Sequence, residues 1–378
     1  MSRETPFYEV SDSIVEAGGA DLLKCYQCGT CTSACPWNLS ASMQTRKMMH
    51  QAQLGLSGYE DDELWRCVTC LRCAELCPRG VGITDVVAAA RSIMVEVGSV
   101  PRPVATALGS LKAGQNPWQG EKEQARSWMQ KAGLERFREG HDAVLFPCCT
   151  NVYEPEARKA SLDLAELLRR AGVAAGVLPS VSICCGDLAV RTGAGKVFSG
   201  LKEKLLQEFE GIGSTQAVVT SPHCLVTLAR SVAPAARVVH YVQVLARHLE
   251  EGKLNIRTKL QARVTYHDPC YLGRWSGVYE PPRSVLKAVA GDNLVEMARN
   301  RSMAVCCGGG GGGVFSEVPK EERLGVLRVG HALETGAEII ATACPYCMAM
   351  LSDGILAAGA EDRLVVKDIA QLLLEAIS

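Results

Sequence analysis

The stretch CCGGGGGGVF (residues 306–315) places two adjacent cysteines before six glycines. Such a run suits a phosphate cradle, a flexible tether, or a backbone that lies against a bulky group held by thiolates. A P-loop needs G-x4-G-K-[ST] after a strand, but Val314, Phe315 and Ser316 follow the glycines here. We therefore expect no nucleotide site here, nor at RTGAGK (residues 191–196), where Val190 takes the place of the first required glycine.

The cysteine pair and its surroundings recur in the preceding part of the chain. SICCGD (182–187) matches AVCCGG (304–309), and VVTSPHC (218–224) matches IATACPYC (340–347). From Asp142 onward, apolar runs alternate with amphipathic helical patterns, which predicts two parallel α/β repeats. Parallel sheets place ligands at the carboxyl ends of their strands, so each repeat is predicted to gather distant cysteines around one metal site.

The two repeats differ in their cysteines. The second repeat reads C-x35-CC-x36-C-x2-C and supplies five thiolates, which is more than one zinc ion or one iron–sulfur cube takes: Cys270, Cys306, Cys307, Cys344 and Cys347. The first repeat supplies Cys149, Cys184, Cys185 and Cys224, but Ser221 stands at the position of Cys344. It also has an additional cysteine, Cys148, which either replaces the missing ligand or packs as a small apolar side chain.

Two further cysteine motifs lie in the first hundred residues. CYQCGTCTSACP (25–36) and CVTCLRCAELCP (67–78) both read C-x2-C-x2-C-x3-C-P. In two-cluster ferredoxins the fourth cysteine of each motif binds the other cluster. This spacing predicts one [4Fe-4S] cluster at Cys25, Cys28, Cys31 and Cys77 and a second at Cys67, Cys70, Cys73 and Cys35. Zinc sites rarely use this triple spacing.

The composition agrees with metal binding and excludes other classes. The chain has 18 cysteines among 378 residues, a net charge of −1 and 5% aromatic residues. This charge and aromatic content argue against nucleic-acid binding. The chain shows no signal-peptide pattern and no apolar run long enough for a transmembrane helix, so we expect a cytoplasmic protein, with association to a membrane complex left open.

Several motifs carry a resemblance to a known family. HDPCYLGR (267–274), YEPPRSVL (279–286), LVEMARNR (294–301), CCGGGGGG and ACPYC (343–347) resemble the cysteine-rich CCG domains of heterodisulfide reductase, in the type fused to a helical two-cluster ferredoxin. The resemblance implies a noncubane [4Fe-4S] cluster at the five cysteines of the second repeat. For the first repeat it leaves a noncubane cluster rebuilt with Cys148, a four-thiolate cube, or zinc. The chain departs from the family at Ser221 and at Trp275 and Ser276, where His-Asn is usual.

Other side chains have less specific roles. His223 and His267 adjoin cysteine motifs, and hydrogen bonding to metal-bound thiolates is a better prediction for them than ligation. Arg274 is predicted to tune a cluster potential, to bind an anionic substrate, or to pair with an acid such as Glu280. Trp118 and Trp128 lie in the connector and serve either as a binding surface or as anchors. No Ser-His-Asp or Cys-His pair suggests nucleophilic catalysis.

The sequence thus predicts an α+β multi-domain protein. Its predicted parts are an α-helical ferredoxin (1–100), a linker (101–140) and two CCG repeats (141–255 and 256–378). The resemblance implies an electron-transfer subunit of a heterodisulfide-reductase-like complex, with a flavoprotein and further oxidoreductase subunits as partners. The alternatives are a terminal disulfide reductase with substrate between the repeats, and an electron link to a membrane quinone or cytochrome partner. Whether the chain itself catalyses a reaction is left open.

Overall fold

The first hundred residues fold as short helices around their own small core. The computed structural model describes residues 5–58, 60, 62–213, 215–232 and 237–378. Ile14, Leu22 and Met49 are buried in this core. The helix Thr45–Leu54 ends at Gly55, which has a left-handed φ of 62°. The helices are α1 (Tyr8–Ile14), α2 (Thr30–Ala34), α3 (Thr45–Leu54), α4 (Asp62–Arg66), α5 (Arg72–Glu75) and α6 (Ile83–Glu96).

The segment predicted as a linker is structured and packs on the first repeat. It forms α7 (Arg102–Gly114), α8 (Lys122–Lys131) and the edge strand β1 (Glu135–Arg136). Leu111 and Trp128 are buried in the same core as the first sheet. Pro103 lies in the first turn of α7, where its missing N–H costs no helical hydrogen bond. Residues 101–140 therefore extend the first repeat structurally.

The first repeat is a parallel sheet with helices on its faces. Its strand order is β1-β3-β2-β4-β5, and Val144 pairs with Ala217 in the centre. The strands are β2 (Ala143–Phe146), β3 (Ala175–Val177), β4 (Gln216–Val219) and β5 (Val238–His240). The helices are α9 (Cys149–Tyr153), α10 (Pro155–Arg170), α11 (Asp187–Arg191), α12 (Gly195–Glu210), α13 (Pro222–Thr227) and α14 (Tyr241–Glu250).

The second repeat has the same topology, which confirms the predicted α+β fold with a duplicated α/β part. Its parallel order, β7-β6-β8-β9, corresponds to β3-β2-β4-β5 of the first sheet. The strands are β6 (Val264–Tyr266), β7 (Leu294–Val295), β8 (Ile339–Thr342) and β9 (Val365–Asp368). The helices are α15 (Glu280–Ala290), α16 (Leu324–Leu333), α17 (Pro345–Ala358) and α18 (Ile369–Ile377). Helices α10 and α14 pack against α18 and α15, so the two repeats share one core.

Candidate metal centres

Two small cavities in the helical domain are each surrounded by four cysteines. One is lined by Cys25, Cys28, Cys31 and Cys77, and the other by Cys67, Cys70, Cys73 and Cys35. Each cavity thus combines three cysteines of one motif with the fourth cysteine of the other. These are the two sets that the spacing predicts, and the crossed arrangement fits two [4Fe-4S] clusters.

The backbone of both motifs is shaped in the same way. Gln27 and Gly29 have positive φ in the first motif, and Thr69 and Leu71 have positive φ at the same places in the second. Such angles are costly for Thr69, a β-branched residue, and persist only where the surroundings hold them. The Thr69 hydroxyl is held by the hydroxyl of Tyr271, 2.7 Å away in the second repeat. The positive φ angles at matching positions bend the backbone of each motif around its cavity.

The five cysteines of the second repeat converge at the carboxyl ends of β6 and β8. All five are buried. The Sγ atoms of Cys270 and Cys306 are 3.9 Å apart, and those of Cys307 and Cys347 are 3.3 Å apart. Cys344 lies close enough to Cys347, and Cys306 to Cys307, for each pair to shift its pKa values, so the thiols form one open series. The structure brings together the full predicted set.

The first repeat also gathers five thiols, and Cys148 is one of them. The Cys149 thiol donates to Cys184 Sγ over 3.6 Å, and Cys184 contacts Cys185. Cys148 lies within hydrogen-bonding reach of both Cys149 and Cys224, and Cys224 reaches Cys185. The thiols therefore close into a ring. The contacts with Cys149 and Cys185 lower the pKa of Cys184 to about 5, which favours a thiolate.

Ser221 has a different role from its counterpart Cys344. Its buried hydroxyl accepts a hydrogen bond from the backbone N–H of His223 at 3.3 Å and caps helix α13. Of the two roles that the sequence left open for Cys148, its position among the thiols fits a replacement ligand, while Ser221 Oγ caps the helix.

The glycine run brings two parts of the chain into close contact. A Cβ at Gly310 or Gly311 would collide with the carbonyl oxygen of Val68 or Cys67 in the second ferredoxin motif. Gly308 has a φ of 98°, and its N–H faces Cys306 Sγ at 3.4 Å. The glycines therefore allow both the approach to the thiols, which the sequence predicts, and the docking of the ferredoxin loop, which it does not.

The ferredoxin domain and the second repeat meet thiol to thiol. The Cys70 and Cys306 thiols are neighbours, and Cys306 together with burial raises the pKa of Cys70. Arg274 reinforces this junction because its guanidinium donates to the carbonyl oxygens of Cys70, Ser302 and Ala304 at 2.6–3.0 Å. The alternative pairing of Arg274 with Glu280 does not form, since Glu280 pairs with Arg301 at 3.1 Å.

A hydrogen-bonded chain also links the two repeats. Asp187 Oδ2 lies 2.7 Å from His223 Nδ1, and the same imidazole reaches the Cys344 thiol. Burial lowers the pKa of His223, but Asp187 and Cys344 outweigh it and raise the pKa to about 10. His223 of the first repeat therefore donates a hydrogen bond to a thiol of the second.

Aromatic rings fill the space beside this link. His223 stacks on Tyr271 with ring centroids 3.7 Å apart, and its ring lies 4.6 Å from that of Tyr346. Burial and the neighbouring Cys149, Cys148 and Cys184 thiols raise the pKa of Tyr346, so its ring reaches toward the first repeat. Each repeat thus extends one ring toward the thiols of the other.

His267 lies beside the thiols of the second repeat. One of its ring nitrogens lies within 4.8 Å of the Cys307 and Cys347 sulfurs. Burial lowers the pKa of His267, and its Nδ1 accepts from Arg328 Nε at 3.2 Å. The neutral ring then carries its proton on Nε2, a buried atom that has no hydrogen-bond partner within the described part of the chain. Support of a metal-bound thiolate by this N–H stays a prediction.

Three buried arginines indicate that the thiol groups carry negative charge. Arg91, Arg274 and Arg328 are at most 7% exposed, and none forms an ion pair with a carboxylate of the described residues. Arg91 donates to carbonyl oxygens of all three parts, namely those of Cys67, Arg191 and Gly311, at 2.8–3.0 Å. A buried cation is costly without a nearby anion. Thiolates around a metal centre supply that anion, so the residues present fit [4Fe-4S] clusters.

The two connector tryptophans behave differently. Trp128 is buried, and its Nε1 donates to Ser161 Oγ at 2.8 Å, as expected of an anchor. Trp118 lies 4.9 Å from the ring of Phe315 and lines a cavity of about 860 Å³ between the helical domain and the second repeat. Trp118 also packs against two buried cores, as an anchor does, and a binding surface at Trp118 stays a prediction.

Comparison with known proteins agrees with this architecture. Residues 143–229 and 264–352 match the family described as "Cysteine-rich domain" (CCG), and residues 21–81 match the family described as "4Fe-4S dicluster domain". Among the described residues, no helix combines the length and apolar character needed to cross a membrane.

Several curated relatives are similar to the chain over most of its length. The chain is 32% identical to the probable iron-sulfur-binding oxidoreductase FadF of Bacillus subtilis and 31% identical to the EtfAB:quinone oxidoreductase of Syntrophomonas wolfei, over 84% of its length in both cases. It spans about half of each of these relatives, 47% of their length. It is 27% identical to a subunit of the dihydromethanophenazine:CoB--CoM heterodisulfide reductase of Methanosarcina barkeri, over 100% of this chain and 99% of the relative. The chain therefore belongs to the heterodisulfide reductase-like iron–sulfur proteins, which join a 4Fe-4S dicluster domain to two cysteine-rich CCG domains.

Proposed function

We propose that the chain is the electron-transfer subunit of a heterodisulfide-reductase-like oxidoreductase complex. It passes electrons between a flavoprotein partner and a catalytic subunit through [4Fe-4S] clusters held at its cysteines. Such clusters supply one-electron transfer when bound. The chain's own part is to hold the thiol groups next to one another and to exclude water from them.

The contact between Cys70 and Cys306 is the observation that carries the proposal. It joins a ferredoxin thiol to a thiol of the second repeat, with Arg274 supplying positive charge at the junction. His223 then links the second repeat to the first. The thiol groups therefore form a continuous series from the helical domain, through the second repeat, to the first.

We assign four clusters to this series. Two are cubane clusters in the helical domain, and one is a noncubane cluster at Cys270, Cys306, Cys307, Cys344 and Cys347. A fourth is held by Cys148, Cys149, Cys184, Cys185 and Cys224. The ring of five thiols supports an iron–sulfur cluster at this last site over zinc, since zinc takes only four ligands.

The relatives support the choice of partners. One is named as a heterodisulfide reductase subunit and another as an EtfAB:quinone oxidoreductase. We propose a cytoplasmic chain that works within a multi-subunit complex, with a flavoprotein on one side. Association of that complex with a membrane quinone partner is compatible with the relative named as a probable membrane-anchored ferredoxin.

A terminal disulfide reductase is the second candidate. It is favoured by the five thiols in each repeat, since the family's disulfide chemistry needs both sites. The buried rings of His223, Tyr271 and Tyr346 stand against it, because they fill space beside the link between the two thiol groups.

Metal analysis and a reductive titration test the proposal. Protein purified without oxygen should contain about sixteen irons, at four per cluster. Electron paramagnetic resonance (EPR) should show reversible one-electron reduction of the ferredoxin and second-repeat signals, assigned with Cys73→Ser and Cys347→Ser. Chemically reduced protein should not be reoxidised by small aliphatic disulfides. Second-repeat signals that stay unreduced while the ferredoxin is reduced would contradict the relay, and rapid reoxidation by a disulfide would favour the second candidate.

A further inference from the structure

The first ferredoxin site reaches the protein surface. Cys28 is the exposed cysteine of its set, whereas all ten cysteines of the two repeats are buried. A redox partner must approach a site closely to exchange electrons with it, so the surface around Cys28 is the place to look for a docking face.

Large apolar side chains surround this opening. Leu23, Tyr26 and Leu76 are 67%, 58% and 42% exposed. Tyr26 lines the cavity of the first site, and Leu23 and Leu76 lie within two residues of Cys25 and Cys77, which also line it. Grouped apolar side chains on a surface mark interaction sites, and aromatic residues are enriched at the centres of protein interfaces.

A positively charged groove adjoins the opening. The groove has a volume of about 810 Å³ and shares Gln27, Gly29 and Arg46 with the cavity of the first site. It contains Arg46, Lys47 and His50, and no described carboxylate lines it. Within the described part of the chain, neither Arg46 nor Lys47 has an ion-pair partner. Its remaining lining residues are Thr32, Ser33, Asn38 and Gln44.

We propose that this face docks an acidic electron-transfer protein. The unpaired cations attract a negatively charged partner and orient it, while Leu23, Tyr26 and Leu76 form the apolar centre of the contact. A small anion would need the groove alone and would leave these apolar side chains in water. The inference rests on the proposed function, in which electrons pass through the helical domain, and adds the charge and position of the partner.

The first test uses a reduced flavodoxin, a small acidic flavoprotein, as the probe. One electron leaves its flavin hydroquinone and enters the ferredoxin site, and any proton released goes to solvent. Stopped-flow absorbance should give a second-order rate that falls steeply between low and high salt. Arg46→Glu/Lys47→Glu should slow this rate at least tenfold at low salt and flatten its salt dependence.

A matched control reverses the same charge elsewhere. Lys131 and Lys196 are exposed lysines on the first-repeat side of the chain, and Lys131→Glu/Lys196→Glu should change the rate less than twofold. Leu23→Ser/Leu76→Ser should weaken the complex about tenfold with an unchanged salt dependence. Leu356→Ser, which alters a 63% exposed leucine of the second repeat, should leave it unchanged. Equal EPR spin counts after chemical reduction show that each variant holds its clusters.

The outcomes separate this inference from the proposed function. Equal rates for the groove variant and the lysine control would overturn the docking face and leave the relay intact. Failure of flavodoxin to reduce the wild-type chain, while a chemical reductant succeeds, would also overturn it. A charge-dependent reduction of the ferredoxin that never reaches the second repeat would support the docking face and contradict the relay.

Discussion

The two cysteine-rich repeats have the same sheet topology, yet they hold their five thiols in different ways. In the second repeat the thiols form an open series from Cys270 to Cys344, and neighbouring groups contact both halves of it. Cys70 contacts Cys306, and His223 contacts Cys344. In the first repeat the thiols close on themselves through Cys148, whose neighbours are Cys149 and Cys224. The second repeat is thus connected on two sides, while the first lies at the end of the series.

This difference shows how a duplicated site acquires two roles. The first repeat lacks a cysteine at position 221 relative to the second, and we propose that a thiol one residue before Cys149 compensates from the neighbouring strand of the same sheet. Both strands end at the same edge, β2 before Cys148 and β4 before Ser221, which is why a ligand can move between them. The thiol contact with the ferredoxin domain, between Cys70 and Cys306, is made by the second repeat.

The largest expected effect comes from removing the compensating thiol. Cys148→Ala opens the ring in the first repeat and leaves four thiols, so we expect a loss of about four irons per chain. The matched control is Thr150→Val, which removes a hydroxyl 3.6 Å from Cys148 Sγ but no thiol. Iron and acid-labile sulfide analysis of anaerobic protein measures the change. Full iron content in Cys148→Ala would mean that Cys148 only packs beside a four-thiolate site.

The second-largest effect is expected where the ferredoxin domain meets the second repeat, at Cys70 and Cys306. Arg274→Met removes a buried cation beside Cys70, Cys270 and Cys306. A positive charge stabilises a reduced cluster, so the midpoint potential of the second-repeat signal should fall by about 100 mV. A unit charge several ångströms away is worth about 2–3 kcal/mol at an effective dielectric constant of about 20.

The control for this junction is Arg301→Met, which removes a guanidinium from the same repeat whose side chain is 45% exposed. Solvent screens that charge, so the potential should stay nearly constant. Redox titration followed by EPR measures both variants. Equal shifts of the second-repeat midpoint potential in the two variants would refute a special role for Arg274. An additional shift of the first-repeat potential would show that the two repeats are less distinct than their contacts indicate.

A smaller effect is expected at the link between the repeats. His223→Phe removes the hydrogen bond to Cys344 but keeps an aromatic ring against Tyr271. Loss of a donor to a thiolate lowers the second-repeat potential by about 60 mV, which is a tenfold change in a one-electron equilibrium. His223→Gln keeps a donor and should recover part of the shift.

Tyr346→Phe tests the corresponding residue of the other repeat. It retains the ring and removes only the hydroxyl, so the second-repeat potential should not move. The same redox titration compares the three variants. A drop in Tyr346→Phe as large as that in His223→Phe would point to general disturbance of the packing rather than to the hydrogen bond.

The sequence predicted those parts of the molecule that depend on local pattern. Cysteine spacing grouped Cys25 with Cys77 and Cys67 with Cys35, and the matched motifs gave the duplicated sheets. Contacts between the parts were missed because they depend on how the parts dock. The glycine run indicated close approach, but nothing in it identified the Val68 carbonyl as its neighbour. No sequence motif marks Arg91 or Tyr271 as an interface residue, yet both are fully buried, and both contact the ferredoxin and repeat parts of the chain.

Helix α7 was missed for a different reason. The PRP at residues 101–103 suggests a break in a connector, although a proline in the first turn is compatible with a helix start. Val104, Leu108 and Leu111 face the core at intervals of four and three residues, which is the spacing of an amphipathic helix.

The smallest effect is expected at the residue where the two repeats diverge. Ser221 Oγ caps α13 through the N–H of His223, while Cys344, its counterpart, makes no side-chain cap on α17. Ser221→Ala should therefore lower the free energy of unfolding by about 1 kcal/mol and leave the iron content unchanged. Ser221→Thr keeps the hydroxyl and should retain the stability. Thermal unfolding of anaerobic protein, read beside its iron content, separates two roles for this serine: a loss of stability alone marks a helix cap, whereas a loss of iron would make Ser221 a ligand and return the first repeat to the pattern of the second.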